Sequence, residues 1–426
     1  MKNLQFIKQT FVLFIFLLSA HFIYSQNEAV KINENNIIIS GKVIDAETVK
    51  PIAFVSVSVK GTNIGTVTNT EGEFTVRFEK ELNVNTLTFK YIGYQNLEVP
   101  INSFKEKKFK VKMKPSVISI QEVIIRPNHP EDIITEALKK IPDNYSIVPN
   151  KEMAFYREYV RKRRKYVSVS EAVVEIYKAP YNNKFAVDLV KLYKGHKSAD
   201  VKAQDTIIMK LRGGPKTALL LDIAKNPDIL FSGNKIKQYN FTLTEITNID
   251  NQQNYIINFQ QKPNQQFPLF NGKVYINIKT LAITAVEFSL NLENKDEASR
   301  VFVRKKPLFM SIMPTSTKYM VSYKQQNGKY YFSHARGEVN FSVKWKRKLF
   351  KSHYSVMTEI AITDRTDKNV QKIPKKEQLK GGIIFGEKVY PLSDQDFWGK
   401  YNTIKPEEAI EKAIKKYGVK LKIQNN

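Results

Sequence analysis

Cysteine is absent from all 426 residues. That excludes disulfides, thiolate metal ligands, cysteine nucleophiles and a lipid-modified cysteine. Histidine is scarce as well. Beyond the first 25 residues only His129, His196, His334 and His353 remain, and none opens a His-x-x-Glu or His-Glu-x-x-His run. Zinc peptidase chemistry needs such ligands converging on one metal, together with a glutamate base. His334 and His353 fall in strands expected to be neighbours, where they would meet without carboxylates around them. No Gly-x-Ser-x-Gly elbow and no Gly-Lys-Ser/Thr loop occurs either, so serine-hydrolase and phosphate-loop signatures are missing. A glycosidase-type carboxylate pair leaves no such trace in sequence, and a hydrolase with an unrecognised site stays open. No metal or cofactor is expected. Long apolar runs are lacking too: the longest, Phe11 to Leu18, falls short of the about 20 residues that span a bilayer.

What is present begins with that short run. Lys2 and Lys8 precede or flank it, Ser19 and Ala20 follow, and Tyr24-Ser25-Gln26-Asn27 turns polar. This is the pattern of a secretory leader, with cleavage expected after Ser25. Acids are outnumbered, 41 against 68 lysines and arginines, for a formal charge of +27. In an exported protein the matching polyanions are lipid head groups, lipopolysaccharide phosphates and acidic glycans rather than nucleic acid. An excess of lysine that only solubilises the chain is the equal alternative. The densest cationic run is Arg161-Lys162-Arg163-Arg164-Lys165. It lies between two alternating segments, so it is expected at a hairpin tip with Tyr156, Tyr159 and Tyr166 nearby, as an anion-binding site or as a solvated loop. Lys344-Trp345-Lys346 and Arg347-Lys348 form a lesser basic and aromatic cluster.

From Ile37 to Lys114 the pattern is all β. Phe54 to Lys60 alternates with period two, Asn69-Thr70-Glu71-Gly72 is a turn, and Phe74, Val76 and Phe78 alternate again. Phe54, Val57, Phe74 and Tyr91 are the expected core. Gly41-Lys42-Val43-Ile44-Asp45, Pro51-Ile52-Ala53-Phe54-Val55-Ser56-Val57, Lys60-Gly61-Thr62, Gly65-Thr66-Val67-Thr68, Glu71-Gly72-Glu73-Phe74 and Tyr91-Ile92-Gly93-Tyr94 occur in that order. In these motifs the segment closely resembles the carboxypeptidase regulatory-like domain. The resemblance implies a transthyretin-type β-sandwich, a Bacteroidetes envelope setting and an accessory rather than peptidase role.

After it, Pro130-Glu131-Asp132 starts a helix with apolar Ile133, Ile134, Ala137, Leu138 and Ile141, which Pro142 is expected to stop. Strand patterns then run from Lys151 to Asp364, and the meander of Gly272–Asn277 and Ile283–Phe288 resembles the open half-barrels of lipoprotein carriers. A last helix carries Ala409, Ile410, Ala413 and Ile414, with Gly418 as its expected end. Phe397 and Trp398 are expected to dock this tail on the body. The expected organisation is a leader over 1–25, a β-sandwich over 36–115, a strand–helix connector over 116–150, a β-rich α+β body over 151–365, with a half-barrel as one form of it, and a linker with a short C-terminal helix over 366–426. The fold class is mainly β. The expected function is non-catalytic binding or scaffolding at the periplasmic face of the outer membrane, peripheral rather than integral. An outer-membrane protein complex or an anionic lipid or lipopolysaccharide surface is the expected partner. A carrier holding a lipid or acyl chain in the half-barrel is the alternative.

Overall fold

A computed structural model describes residues 30–32, 35–105, 109–116, 129–183, 185–199, 213–231, 233–303, 309–346, 349–391 and 397–424. The expected leader, residues 117–128 of the expected strand–helix connector and the Arg347-Lys348 pair lie outside the described residues. The N-terminal unit is a sandwich of two sheets. One sheet joins β1 (Val30–Ile32), β2 (Asn36–Asp45), β5 (Glu73–Glu79) and β8 (Lys110–Met113); the other runs in the order β4 (Gly65–Val67), β3 (Ser56–Val59), β6 (Thr86–Lys90), β7 (Leu97–Pro100). Period-two alternation sends Val55, Val57, Val59, Phe74, Val76, Leu87 and Phe89 inward, where they are buried together. Gly72 closes the turn into β5 at φ +75°, where a Cβ would sit 2.5 Å from the Val43 carbonyl oxygen; only glycine fits there.

Phe54 departs from expectation. The valines at odd positions take the inward face of β3, so Phe54, at φ +63° just before the strand, is left on the opposite side. Its ring stacks on His334 of the body at 5.5 Å instead of filling the sandwich. Tyr91 packs at the edge of the sandwich core, half-buried.

The body is one open sheet of eleven strands. Its order is β12 (Tyr239–Ile249), β13 (Gln252–Gln261), β14 (Phe270–Asn277), β15 (Ile283–Leu290), β16 (Met310–Gln326), β17 (Lys329–Trp345), β18 (Ser352–Thr366), β9 (Asn150–Lys162), β10 (Lys165–Lys178), β11 (Leu189–Ala199) and β19 (Tyr390–Pro391). Every pairing is antiparallel except β19 on β11. The sheet does not close, since β12 and β19 stand at its two edges.

Both faces of its centre are covered. On one face lie α1 (Pro130–Lys139), α2 (Ile141–Asn144) and α3 (Pro215–Ala218) with the turns after it, packed through Ile134, Tyr145, Leu219, Ile223 and Phe231 onto Ala154, Tyr156, Val174 and Ile360. α1 ends at Lys139, ahead of Pro142, which itself sits at the start of the short α2, where its missing N–H costs nothing. On the other face lie the sandwich and the C-terminal tail, with Phe155 and Ala361 beneath Val67, Trp398 and Ile404. This explains why β9 is apolar at successive positions rather than at alternate ones. α4 (Lys295–Phe302) packs near the start of β16, and α5 (Glu408–Gln424) lies on β10 and β11 through Ile410 and Ile414. α5 continues through Gly418 rather than stopping there. Among the described residues no helix is long and apolar enough to cross a membrane.

Candidate functional site

Five strands end together at one end of the sheet. β16 and β18 begin there, β17 and β9 finish there, and β10 starts from the β9 turn; Met310 lies opposite Trp345, and Lys162 lies opposite both Tyr354 and Lys165. The β9–β10 connection is only two residues, Arg163-Arg164, with Arg163 at φ +54°. The Arg163 N–H donates to the carbonyl of His353 at 2.9 Å, tying this tip to β18. The five-residue cationic run therefore divides. Arg163, Arg164 and Lys165 are exposed at the tip, while Arg161 and Lys162 belong to β9 and are half-buried. The Lys162 ammonium lies 5.7 Å from the Tyr354 ring.

The second cluster lies on the next hairpin. Lys344, Lys346 and Lys351 are exposed, and the Lys346 N–H donates to the carbonyl of Phe309 at 2.9 Å. Three apolar side chains stand among these cations: Leu349 is 91% exposed, Phe350 80% and Phe309 57%. No aspartate or glutamate occurs from residue 160 to 170, 309 to 318 or 341 to 358. The end is held firm from both sides, by Phe302 against Phe341 on one face and by Ile410 and Ile414 against Tyr159, Val169 and Met357 on the other. Its chemistry is that of a surface that attracts phosphates and offers apolar groups to what lies behind them.

Sequence reading missed a second constellation. Arg336, Glu359, Arg157, Glu171 and His196 stand opposite one another in register across β17, β18, β9, β10 and β11. Their charges alternate along the row. Arg157 Nε donates to Glu171 Oε1 at 2.5 Å, His196 Nε2 lies 3.0 Å from Glu171 Oε2, and Arg336 Nη1 lies 3.3 Å from Glu359 Oε2. Arg157, Glu171, His196 and Glu359 are each at most 2% exposed. Burial opposes the charge on Glu171, but Arg157 and His196 outweigh it and hold the carboxyl down to about 2. Glu359 is likewise held down to about 2 against burial by Arg336 and His334. The tail and the sandwich seal the row: Arg157 Nη2 donates to the Ile404 carbonyl at 2.8 Å, Trp398 lies 5.2 Å from the His196 ring, and Arg336 lies 5.3 Å from Phe54. The sign that could have revealed these residues is charge set inside an apolar strand, as in Phe155-Tyr156-Arg157-Glu158-Tyr159-Val160.

The histidines do not meet. His334 lies opposite Ala361 and His353 opposite Ser342, and the carboxylate that sequence did not offer His334 is Glu359, 3.0 Å away. Among the described residues no three histidine, aspartate or glutamate side chains are grouped so as to hold a metal ion. On the helix-covered face Lys178 is bound by Asp188 and Asp222, each at 2.6 Å, and Asp222 accepts from the hydroxyls of Tyr181 and Tyr323. This buried polar centre ties the helical layer to β10 and β16.

Residues 39–125 match the family model of the CarboxypepD_reg-like domain. No curated protein matches the chain. Among solved structures, a putative outer membrane lipoprotein-sorting protein domain from Vibrio parahaemolyticus is 11% identical, covering 57% of this chain and 93% of its own, at a TM-score of 0.24. A DUF1329 family protein from Desulfovibrio piger is also 11% identical, with the same coverages and a TM-score of 0.23. Lipovitellin is 11% identical over 58% of this chain and 28% of its own, at 0.26. TM-scores this low do not establish a shared fold. The assignment that stands is therefore local: the chain carries a CarboxypepD_reg-like domain over residues 39–125.

Proposed function

We propose that the protein is a non-catalytic binding protein that attaches peripherally to an anionic lipid or lipopolysaccharide surface through the basic end of its large sheet. One observation carries this: two hairpins that are far apart in sequence bring Arg163, Arg164, Lys165, Lys346 and Lys351 together around the exposed Leu349 and Phe350. Each cation held near such a surface contributes on the order of 1 kcal/mol, and the apolar tips add affinity that salt does not screen. Exposed apolar groups of this size would be a liability in a loop whose only task is solubility. The leader-like opening of the sequence supplies the setting, outside the cytoplasm, where phosphate-bearing lipids replace nucleic acid as the available polyanion.

Sedimentation with vesicles tests the proposal. The protein is expected to bind phosphatidylglycerol vesicles and to bind neutral phosphatidylcholine vesicles far less. Replacing Arg163, Arg164 and Lys165 with serine should weaken binding and flatten its salt dependence, and Leu349→Ser with Phe350→Ser should weaken what remains at high salt. Equal binding by both variants would overturn the proposal.

A further inference from the structure

At the opposite end of β16 the outward face of the sandwich sheet β3–β6–β7 does not close on the body. A cleft of about 480 Å³ lies between them, followed by two smaller cavities of about 40 and 60 Å³. Lys324, from β16, lines all three. The alternation that buries Val57, Val59, Leu87 and Phe89 turns Ser58, Lys60, Thr88 and Lys90 toward the large cleft. Its walls are thus hydroxyls, amides and ammonium groups, together with the Glu98 carboxylate.

The charges in the cleft do not balance internally. Lys60 is paired with Glu98 at 2.6 Å, and Lys90 is paired with Asp250. Lys324 has no carboxylate within ion-pair distance among the described residues, and Asp250, the acid that acts on it from the β12–β13 turn, is already taken by Lys90. The carbonyl oxygen of the Asn96 side chain, which also lines the cleft, is buried without a hydrogen-bond partner. One half-buried cation therefore remains unanswered, with an orphaned acceptor and free hydroxyls around it. Burial, aided by Lys90, lowers the Lys324 amine to about 8 against the pull of Asp250, which is the cost that a bound anion would remove.

We propose that this cleft is a binding site for a small hydroxyl-bearing anion, with Lys324 holding the negative charge while Ser58, Thr88 and Asn96 hydrogen-bond its polar groups. A volume of this size suits a compact solute of sugar dimensions rather than a bare ion or an acyl chain. Because the walls come from two units, an occupied cleft also strengthens their union. The site is separate from the basic end: the 14 residue steps of β16 from Met310 to Lys324 place it roughly 45 Å away at the rise of an extended strand.

Calorimetric titration of the whole protein with glucose 6-phosphate and with glucuronate tests this, with glucose as the neutral control. At least one anion should bind at millimolar concentration, glucose should not, and Lys324→Gln should weaken binding by about tenfold or more. Arg163→Ser with Arg164→Ser should leave this binding unchanged, which separates it from attachment at the basic end. Should Lys324→Gln fold poorly, acetylation of Lys324 in the unaltered protein, followed by mass spectrometry, should be slowed by the anion that binds. Which anion wins tells a phosphate site from a carboxylate site. Binding by neither, equal binding by Lys324→Gln, or no protection of Lys324 would overturn the proposal.

Discussion

Arg157 and Glu171 face each other across β9 and β10 at 2.5 Å, buried under a tail that begins more than two hundred residues later. Their pairing belongs to a row in which every cation lies beside an anion, so its members are better considered as one unit than as separate bridges. Removing one partner from a buried pair leaves the other charged and unsolvated, which costs about 3–5 kcal/mol. Glu171→Gln is therefore expected to destabilise the protein by that amount, read as a lowered denaturant midpoint. A variant that replaces Arg157 and Glu171 together with methionine and leucine should recover a large part of the loss.

The same row fixes the response to acid. Glu171 and Glu359 are held down to about 2 in the folded protein, below the usual value near 4.5. Lowered carboxyls contribute stability that is present above the unfolded value and lost as pH falls through the folded one. Stability is expected to fall steeply between about pH 4.5 and pH 2. Trp398, packed against His196 and Phe155, should report the release of the tail by its fluorescence.

Glu152 predicts the opposite slope. It is buried beside Lys178 with neither carboxyl oxygen hydrogen-bonded, and burial raises it to about 8. A raised carboxyl gives stability that is complete below the unfolded value and lost as pH climbs through the folded one. Glu152→Gln should thus be near neutral at pH 5. Around pH 8 it should stabilise, by on the order of 2–4 kcal/mol at about 1.4 kcal/mol per pKa unit. Thermal melts of both proteins at the two pH values check the sign.

Two phenylalanines separate the sandwich from its attachment. Phe74→Ala empties the sandwich core and should cost about 3–5 kcal/mol. Phe54→Ala leaves that core intact and removes a ring stacked on His334 and Arg336, for about 1–2 kcal/mol. Hydrogen exchange should show the second loss at the junction, in β17 and β3, rather than inside the sandwich.

The sandwich was legible because its signals are local: glycine turns and alternating apolar residues within one short stretch. Phe54 was misplaced because alternation gives two faces without naming the inner one, and the valines decided it. In the body, Lys191, Lys194, Glu245 and Asn248 interrupt the apolar pattern of β11 and β12, as suits strands partly open to solvent, so the pattern does not mark their bounds. His334 and Arg336 break the apolar run of β17 at the point where it joins the charged row, so alternation alone does not show it as one strand. The cationic run was legible as a tip, but its neighbours were not. Leu349 and Phe350 join it only through the pairing of β18 with β9. The row left only charges set inside apolar strands, and the cleft left no trace, since the members of both are drawn together by register across strands.

The tail that seals the row also sets an order of events. Thr66 Oγ1 donates to the Thr403 carbonyl at 3.0 Å, Thr70 Oγ1 donates to Glu407 at 2.8 Å, and the Arg77 N–H donates to Asn402 at 2.7 Å, each across more than 320 residues of chain. Contacts so distant are the slowest to form, because the loop they close must be ordered first. As the chain is made, the sandwich emerges early and must wait, with its docking face bare, until the tail follows. During that interval Phe155 and Ala361, which Trp398 and Ile404 later cover, are open to any passing apolar surface. A folding helper that shields them would be needed most in the time between the synthesis of β18 and that of Trp398.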